Sequence, residues 1–169
     1  IGESGWADAL RAFGFPIHFS KKESVSAITG RGLWCLSEDE ITDIFSRGVL
    51  LDLSALRTLR DMGRLDLAGV GIEGIHGLRS RPTGPEELTD ENFYGAPYRF
   101  SWTYGISHIA SFKLDEGARP ISRILDADGE FLYHGIVLFE NELGGRVASV
   151  PYFCEEGLLD KKGPPQAFY

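Results

Sequence analysis

Ser37 with Glu40 three residues on, followed by Ile41, Ile44 and Phe45, is a capping box leading into the apolar stripe of a short helix. Val49-Leu50-Leu51 then runs apolar on both faces, the pattern of a central strand covered by helices. Gly48 before it is placed as the glycine that stops the first helix. Leu56, Leu59 and Met62 space a second helix, ended by Gly63. Upstream, Trp6, Leu10 and Phe13 at i, i+4, i+7 predict an amphipathic helix over residues 5 to 13, closed by Gly14 and Pro16. A short extended run over residues 16 to 19 follows, and the polar stretch 21 to 32 offers only Val25, Ala27 and Ile28 to a core.

From Gly69 to Gly84 the glycine density, with Pro82 and Pro85, predicts a loop, and residues 86 to 91 read as an acidic surface stretch. Beyond it aromatic and β-branched residues dominate, from Phe100 to Phe112. Two turn sequences, Asp126-Ala127-Asp128-Gly129 and Asn141 to Gly145, flank strand-like runs at 131 to 139 and 146 to 153. The expected fold is α/β, with helix and buried strand in the first half and a strand-rich C-terminal portion.

At 169 residues the chain fits one domain. Its net charge of −8 and scattered basic residues argue against sequence-independent nucleic-acid or anionic-membrane binding. No apolar run is long enough for a membrane helix. Cys35 and Cys154 are far apart and outside any C-x-x-C, so they are expected to be reduced, buried thiols of a soluble, cytoplasmic chain. The chain begins at Ile1 and ends on Gly-Pro-Pro-Gln-Ala-Phe-Tyr. Residues 1 to 160 are therefore expected to be a domain of a longer protein, and 161 to 169 a linker or the start of the next.

Candidate chemistry is sparse. Gly69 to Gly74 matches G-x-G-x-x-G, but no helix pattern follows, and a plain glycine-rich loop is the better reading. Asp126, Asp128 and Gly129 lack the glutamate that a calcium loop needs, since Gly135 stands there. His18, His76, His108 and His134 never fall at helical metal-pair spacing. Neither a cofactor nor a metal is expected. Glu140 and Glu142 are the nearest to a glycosidase carboxylate pair, yet Glu142 sits in a turn. Cys35 lies just before a helix cap, where a thiol nucleophile could be activated, and its apolar context favours a structural role. Trp102 and Tyr104, two apart on a strand pattern, could stack on a sugar ring, as could Trp34, although core packing competes.

Leu36-Ser37-x-x-Glu40 through Gly48-Val49-Leu50-Leu51-Asp52, with Ala55, Leu59, Gly63 and Gly69-Val70, resembles a phrase of the class I glutamine amidotransferase-like domain of β-galactosidase-type bacterial glycoside hydrolases. Leu10 to Pro16 and Glu140-Asn141-x-x-Gly144-Gly145-Arg146-Val147-Ala148 resemble its flanks. The resemblance implies a flavodoxin-like three-layer fold with a mostly parallel central sheet. It places Leu53 where true amidotransferases carry the nucleophilic cysteine, and Ala55 at a glycine of the elbow. Leucine offers nothing for a base to activate, while Asp52 and Ser54 suit helix N-caps. The implied role is a non-catalytic accessory domain that contacts other domains of its parent polypeptide. Glu140, Asn141, Arg146, Trp102 and Tyr104 are its candidates for binding, and a carbohydrate and a second copy of the chain are further partners to test.

Overall fold

The computed structural model describes residues 25–77, 83–90, 98–100 and 108–153. The expected helix at 5 to 13, the extended run at 16 to 19, His18, Trp102, Tyr104, Cys154 and the 161 to 169 tail lie outside these residues.

The first half alternates strand and helix. Strand β1 (Val25–Ile28) leads through a one-turn helix α1 (Gly30–Leu33) into α2 (Glu38–Phe45), then β2 (Gly48–Leu51) and α3 (Leu53–Asp61). Helix α2 starts at the expected capping box: the Glu40 N–H donates to Ser37 Oγ at 3.3 Å, and the Ser37 N–H donates to Glu40 Oε2 at 2.9 Å. Helix α3 ends at Met62, with Gly63 at φ 72° closing it as expected. Gly48 does not stop α2, because Ser46 caps that helix and Gly48 opens β2 against Val25, where a Cβ would stand 3.1 Å from Val25 Cγ2.

A 3-10 turn (Leu65–Ala68) leads into β3 (Val70–Gly77), which pairs antiparallel with β6 (His108–Leu114). The predicted loop from Gly69 is therefore mostly strand. Its glycines do not break pairing because the ladder absorbs them with a register shift between Ile72 and Gly74. Only Gly69 is left-handed, at φ 67°, beneath the Phe139 ring.

Strands β4 (Thr83–Leu88), β5 (Tyr98–Phe100), β8 (Ser122–Asp126) and β9 (Phe131–His134) form a four-stranded antiparallel sheet ordered β5-β4-β8-β9. The acidic stretch thus begins inside a sheet, with Glu86 and Glu87 fully buried. Between them in the chain, β7 (Arg119–Pro120), and after them β10 (Val137–Glu140) and β11 (Arg146–Ser149), return to the first half. The resulting five-stranded sheet is ordered β1-β2-β11-β10-β7. Strand β2 is parallel to both β1 and β11, while β10 is antiparallel to β11 and β7. The strand-rich C-terminal portion is as expected, but the sheet is mixed, with two parallel and two antiparallel pairings, and not the mostly parallel sheet of the expected flavodoxin-like three-layer fold, because β10 and β7 add to it antiparallel.

The main core lies on one face of that sheet. Val49, Leu51, Val137 and Val147 pack with Leu33, Ile41, Phe45, Leu53, Leu56 and Leu59 from the three helices. The β10–β11 turn is fastened to α2 by Asn141, a buried residue. Its Nδ2 donates to the Phe45 carbonyl at 2.9 Å, and its Oδ1 accepts from the N–H groups of Leu143 and Gly145 at 3.0 and 3.1 Å. Replacing Asn141 with alanine strands buried backbone groups, and urea denaturation should show a loss of about 2–3 kcal/mol.

Candidate functional site

Strand β2 runs into α3 through Asp52, and this elbow is where an enzyme of the resembled class would hold its nucleophile. Leu53 is fully buried in the helix core, as is Ala55. Asp52 is also fully buried, and its Oδ1 accepts from the Ala55 N–H at 2.9 Å and from Ser54 Oγ at 2.7 Å. Ser54 Oγ in turn accepts from the Gly30 N–H at 3.0 Å. A Cβ on Gly30 would collide with the Ser54 carbonyl, so glycine is what lets α1 start against α3. The segment past β11 joins here as well, through Leu53 N–H to the Tyr152 carbonyl at 3.0 Å and Val150 N–H to the Leu51 carbonyl at 2.9 Å. Both oxygen-bearing side chains of the elbow thus hold α1 to α3, and its backbone holds the segment that follows β11. The cap expected at Asp52 is present, whereas Ser54 lies inside α3 and its hydroxyl links Asp52 to the Gly30 N–H, a connection that no local sequence pattern signals. Exchanging Asp52 for alanine removes the cap and leaves Ser54 Oγ without its acceptor. A loss of about 2 kcal/mol in thermal or urea unfolding is the expected result.

Cys35 is exposed in the turn after α1, not buried, because α1 is a single turn and only Leu33 of the apolar run reaches the core. Trp34 beside it is 62% exposed.

Glu140 and Arg146 are brought together, as register partners across β10 and β11. They line a groove of about 820 Å³ over the sheet face opposite the helices. Val25, Leu50, Leu138 and Ala148 contribute its apolar lining. Arg47 and Arg119 also border it, each paired to an acid: Arg47 Nη2 to Asp43 Oδ2 at 2.7 Å, and Arg119 to Asp90. Asn141, next in sequence to Glu140, turns inward and serves the turn and Phe45. Glu142 lies in the same turn.

Each described histidine has its own neighbours. His76 Nε2 lies 3.1 Å from Ser111 Oγ and its ring stacks on Tyr133 at 4.9 Å, whereas His108 meets the edge of Phe153 and His134 sits beside Phe131. Among the described residues no group of three or more His, Cys, Asp or Glu could hold a metal, and no helix is long and apolar enough to cross a membrane. Asp126 Oδ1 accepts from the N–H groups of Asp128 and Glu130, a hairpin turn as expected.

The acidic pair in β4 carries the strongest electrostatics. Glu87 accepts from Arg99 and from Arg123 Nε at 2.7 Å, and these hydrogen bonds pull its carboxyl below the usual range. Glu86, on the other face, accepts from the Ser122 hydroxyl, and its Oε2 is buried without a hydrogen-bond partner. Burial pushes its carboxyl up from 4.5 to about 7. A folded chain that holds this proton more tightly keeps its full stability below about pH 4.5 and loses it as pH rises through about 7. The span corresponds to about 3 kcal/mol. Urea midpoints taken at pH 5 and pH 8.5 should therefore fall for the natural chain and change far less for Glu86→Gln.

No family model matches the chain, and no curated protein matches it. Solved structures do. A cold-adapted β-galactosidase from Rahnella sp. R3 superposes on 91% of this chain with a TM-score of 0.57 at 15% identity. The GH42 β-galactosidase Gan42B from G. stearothermophilus, in a catalytic mutant, covers 76% at 11% identity and a TM-score of 0.43. The first likeness shows a shared fold. The chain spans about a quarter of that β-galactosidase, so the fold is that of one part of a larger enzyme chain.

Proposed function

We propose that this chain is a non-catalytic accessory domain of a carbohydrate-active enzyme, working through contacts with the other domains of its parent polypeptide. The observation that carries the reading is the elbow: Leu53, which the resemblance puts at the nucleophile position, is sealed in the core, Asp52 and Ser54 are committed to hydrogen bonds that join α1 and α3, and the Leu51 and Leu53 backbone holds the segment after β11. The shared fold with a quarter-length part of a β-galactosidase supports the parent's class, and the phrase from Leu36 to Asp52 supports descent from a glutamine amidotransferase-like, flavodoxin-like domain. Loss of the nucleophile is tolerable when chemistry belongs to another domain. Glu140 and Arg146, which line the groove, are the groups by which such a domain would border a sugar site.

The test is to express the full reading frame that contains this chain, and this chain alone, and to assay both on an aryl β-galactoside. The full product should turn over substrate with Ser54→Ala and Cys35→Ser at natural rates, and the isolated chain should show none. Deleting residues 25 to 153 from the full product should lower its melting temperature or change its oligomeric state. Turnover by the isolated chain that either substitution abolishes would overturn the proposal.

A further inference from the structure

Among the described residues, two short crossings join the five-stranded sheet to the four-stranded antiparallel sheet: residues 120–122, from β7 into β8, and residues 134–137, from β9 into β10. They run side by side. The Ile121 N–H donates to the Ile136 carbonyl at 2.8 Å and the Gly135 N–H to the Ser122 carbonyl at 3.0 Å, while the Thr89 N–H, just past β4, reaches the Ile121 carbonyl at 2.9 Å. The Ile136 N–H donates to the Ser122 hydroxyl oxygen at 2.6 Å. That hydroxyl in turn donates to Glu86 Oε1, so a carboxyl on β4 orients the group that ties one crossing to the other. Position 135 demands glycine, because a Cβ there would overlap both Ser122 Oγ and Glu86 Oε1. Glu86 is fully buried, and its Oε2 has no hydrogen-bond partner. A neutral acid can occupy such a place, whereas a charge so short of partners is far costlier.

We propose that Glu86 is a proton-operated latch on this joint: the neutral acid keeps the two crossings closed, and its ionisation draws water into the joint and releases the Ile136 N–H from Ser122. The proposal rests on the geometry of the joint and not on the accessory role. Strand β4 itself is poorly placed to move, since it is paired to β5 and β8 on its two sides and Glu87 is held by Arg99 and Arg123. The link through Gly135 and Ile136 is the weaker side, because a side chain holds its Ile136 N–H where a ladder would use a carbonyl. The charged and titratable groups around Glu86 are accounted for element by element. Glu87 of β4, Arg99 of β5, Arg123 of β8 and His134 of β9 alternate to the opposite face of the sheet. On the same face, across Ile124, stands Tyr133 of β9, with His76 of β3 stacked on it and hydrogen-bonded to Ser111 of β6. Asp90 and Arg119, near the Thr89–Ile121 contact, are paired to each other. Burial is the largest cause of the raised Glu86 carboxyl, as a latch of this kind requires. Arg119 of β7 and Glu140 of β10 both line the groove, so release of the joint loosens the two strands that carry them.

Amide resonances and hydrogen exchange of the whole chain between pH 5 and pH 8.5 read the latch directly. The Gly135 and Ile136 amide signals should move together with a midpoint near 7, and their protection, corrected for the intrinsic rate at each pH, should fall by up to about 100-fold. At pH 8.5 that exchange should be insensitive to low urea, the mark of a local opening, while the Ala55 amide at the elbow exchanges with the urea dependence of global unfolding. Glu86→Gln should abolish the titration and keep the joint protected at both pH values. Ser122→Ala should leave Ile136 weakly protected throughout, and His76→Gln should leave the midpoint where it is. Should Glu86→Gln fail to fold, the natural chain and His76→Gln decide the matter. The proposal is overturned by joint amides that do not change across this range, by joint amides at pH 8.5 that share the urea dependence of Ala55, or by a titration that persists in Glu86→Gln or vanishes in His76→Gln.

Discussion

Strand β2 has parallel neighbours on both sides, and one of them arrives almost a hundred residues later in the chain: Gly48 aligns with both Val25 and Arg146. Parallel pairing cannot be made by a tight turn, so the intervening chain must leave, build its own antiparallel sheets, and come back in register. The end of β2 is where that return is secured. The Leu51 carbonyl takes the Val150 N–H, the Tyr152 carbonyl takes the Leu53 N–H, and Asp52 and Ser54 bind α3 and Gly30 from within. At the other end of the same strands Asn141 ties the β10–β11 turn to the last carbonyl of α2. Two buried polar residues, one at each end of the sheet, thus hold a long-range topology that hydrophobic burial alone would leave free to slip.

That arrangement also bears on what the elbow presents to solvent. A strand-to-helix turn is a favourable place for a nucleophile because the chain presents one side chain outward at the top of a sheet. Here the side chains turn inward: Leu53 fills the helix core and Ser54 Oγ is bonded both to Asp52 and to Gly30. The joint has the shape of an active-site frame and the hydrogen bonding of a structural clasp. Such a domain is consistent with the shared fold of a region within a β-galactosidase chain.

Much of the first half was legible from the sequence because its signals are local. The capping box at Ser37 and Glu40, the apolar triplet of β2, the cap at Asp52 and the left-handed Gly63 each follow from a few neighbouring residues. The misreadings share a different cause. Glycine and proline from Gly69 to Pro85 argue for loop, yet pairing with β6 makes β3 a strand with a bulge. Glu86 and Glu87 look like surface charge, but Arg99 and Arg123 reach Glu87 from neighbouring strands, and Ser122 reaches Glu86. Cys35 looked buried by its apolar neighbours and is exposed by the brevity of α1. The pairing of Glu140 with Arg146 follows from the turn at Asn141 to Gly145. The groove they border depends on β2, β7 and β1, which no local pattern joins.

The central claim is that the elbow is a clasp and not a reaction site, and covalent labelling tests it most directly. The folded chain would be treated separately with a fluorophosphonate, which reports an activated serine, and with a glutamine-mimicking chloroketone, which reports an amidotransferase cysteine, and adducts located by intact and peptide mass. The account predicts no adduct on Ser54, and on Cys35 only the slow, non-saturating alkylation of an ordinary exposed thiol. A stoichiometric fluorophosphonate adduct on Ser54, or saturable chloroketone labelling of Cys35 that glutamine protects against, would contradict it.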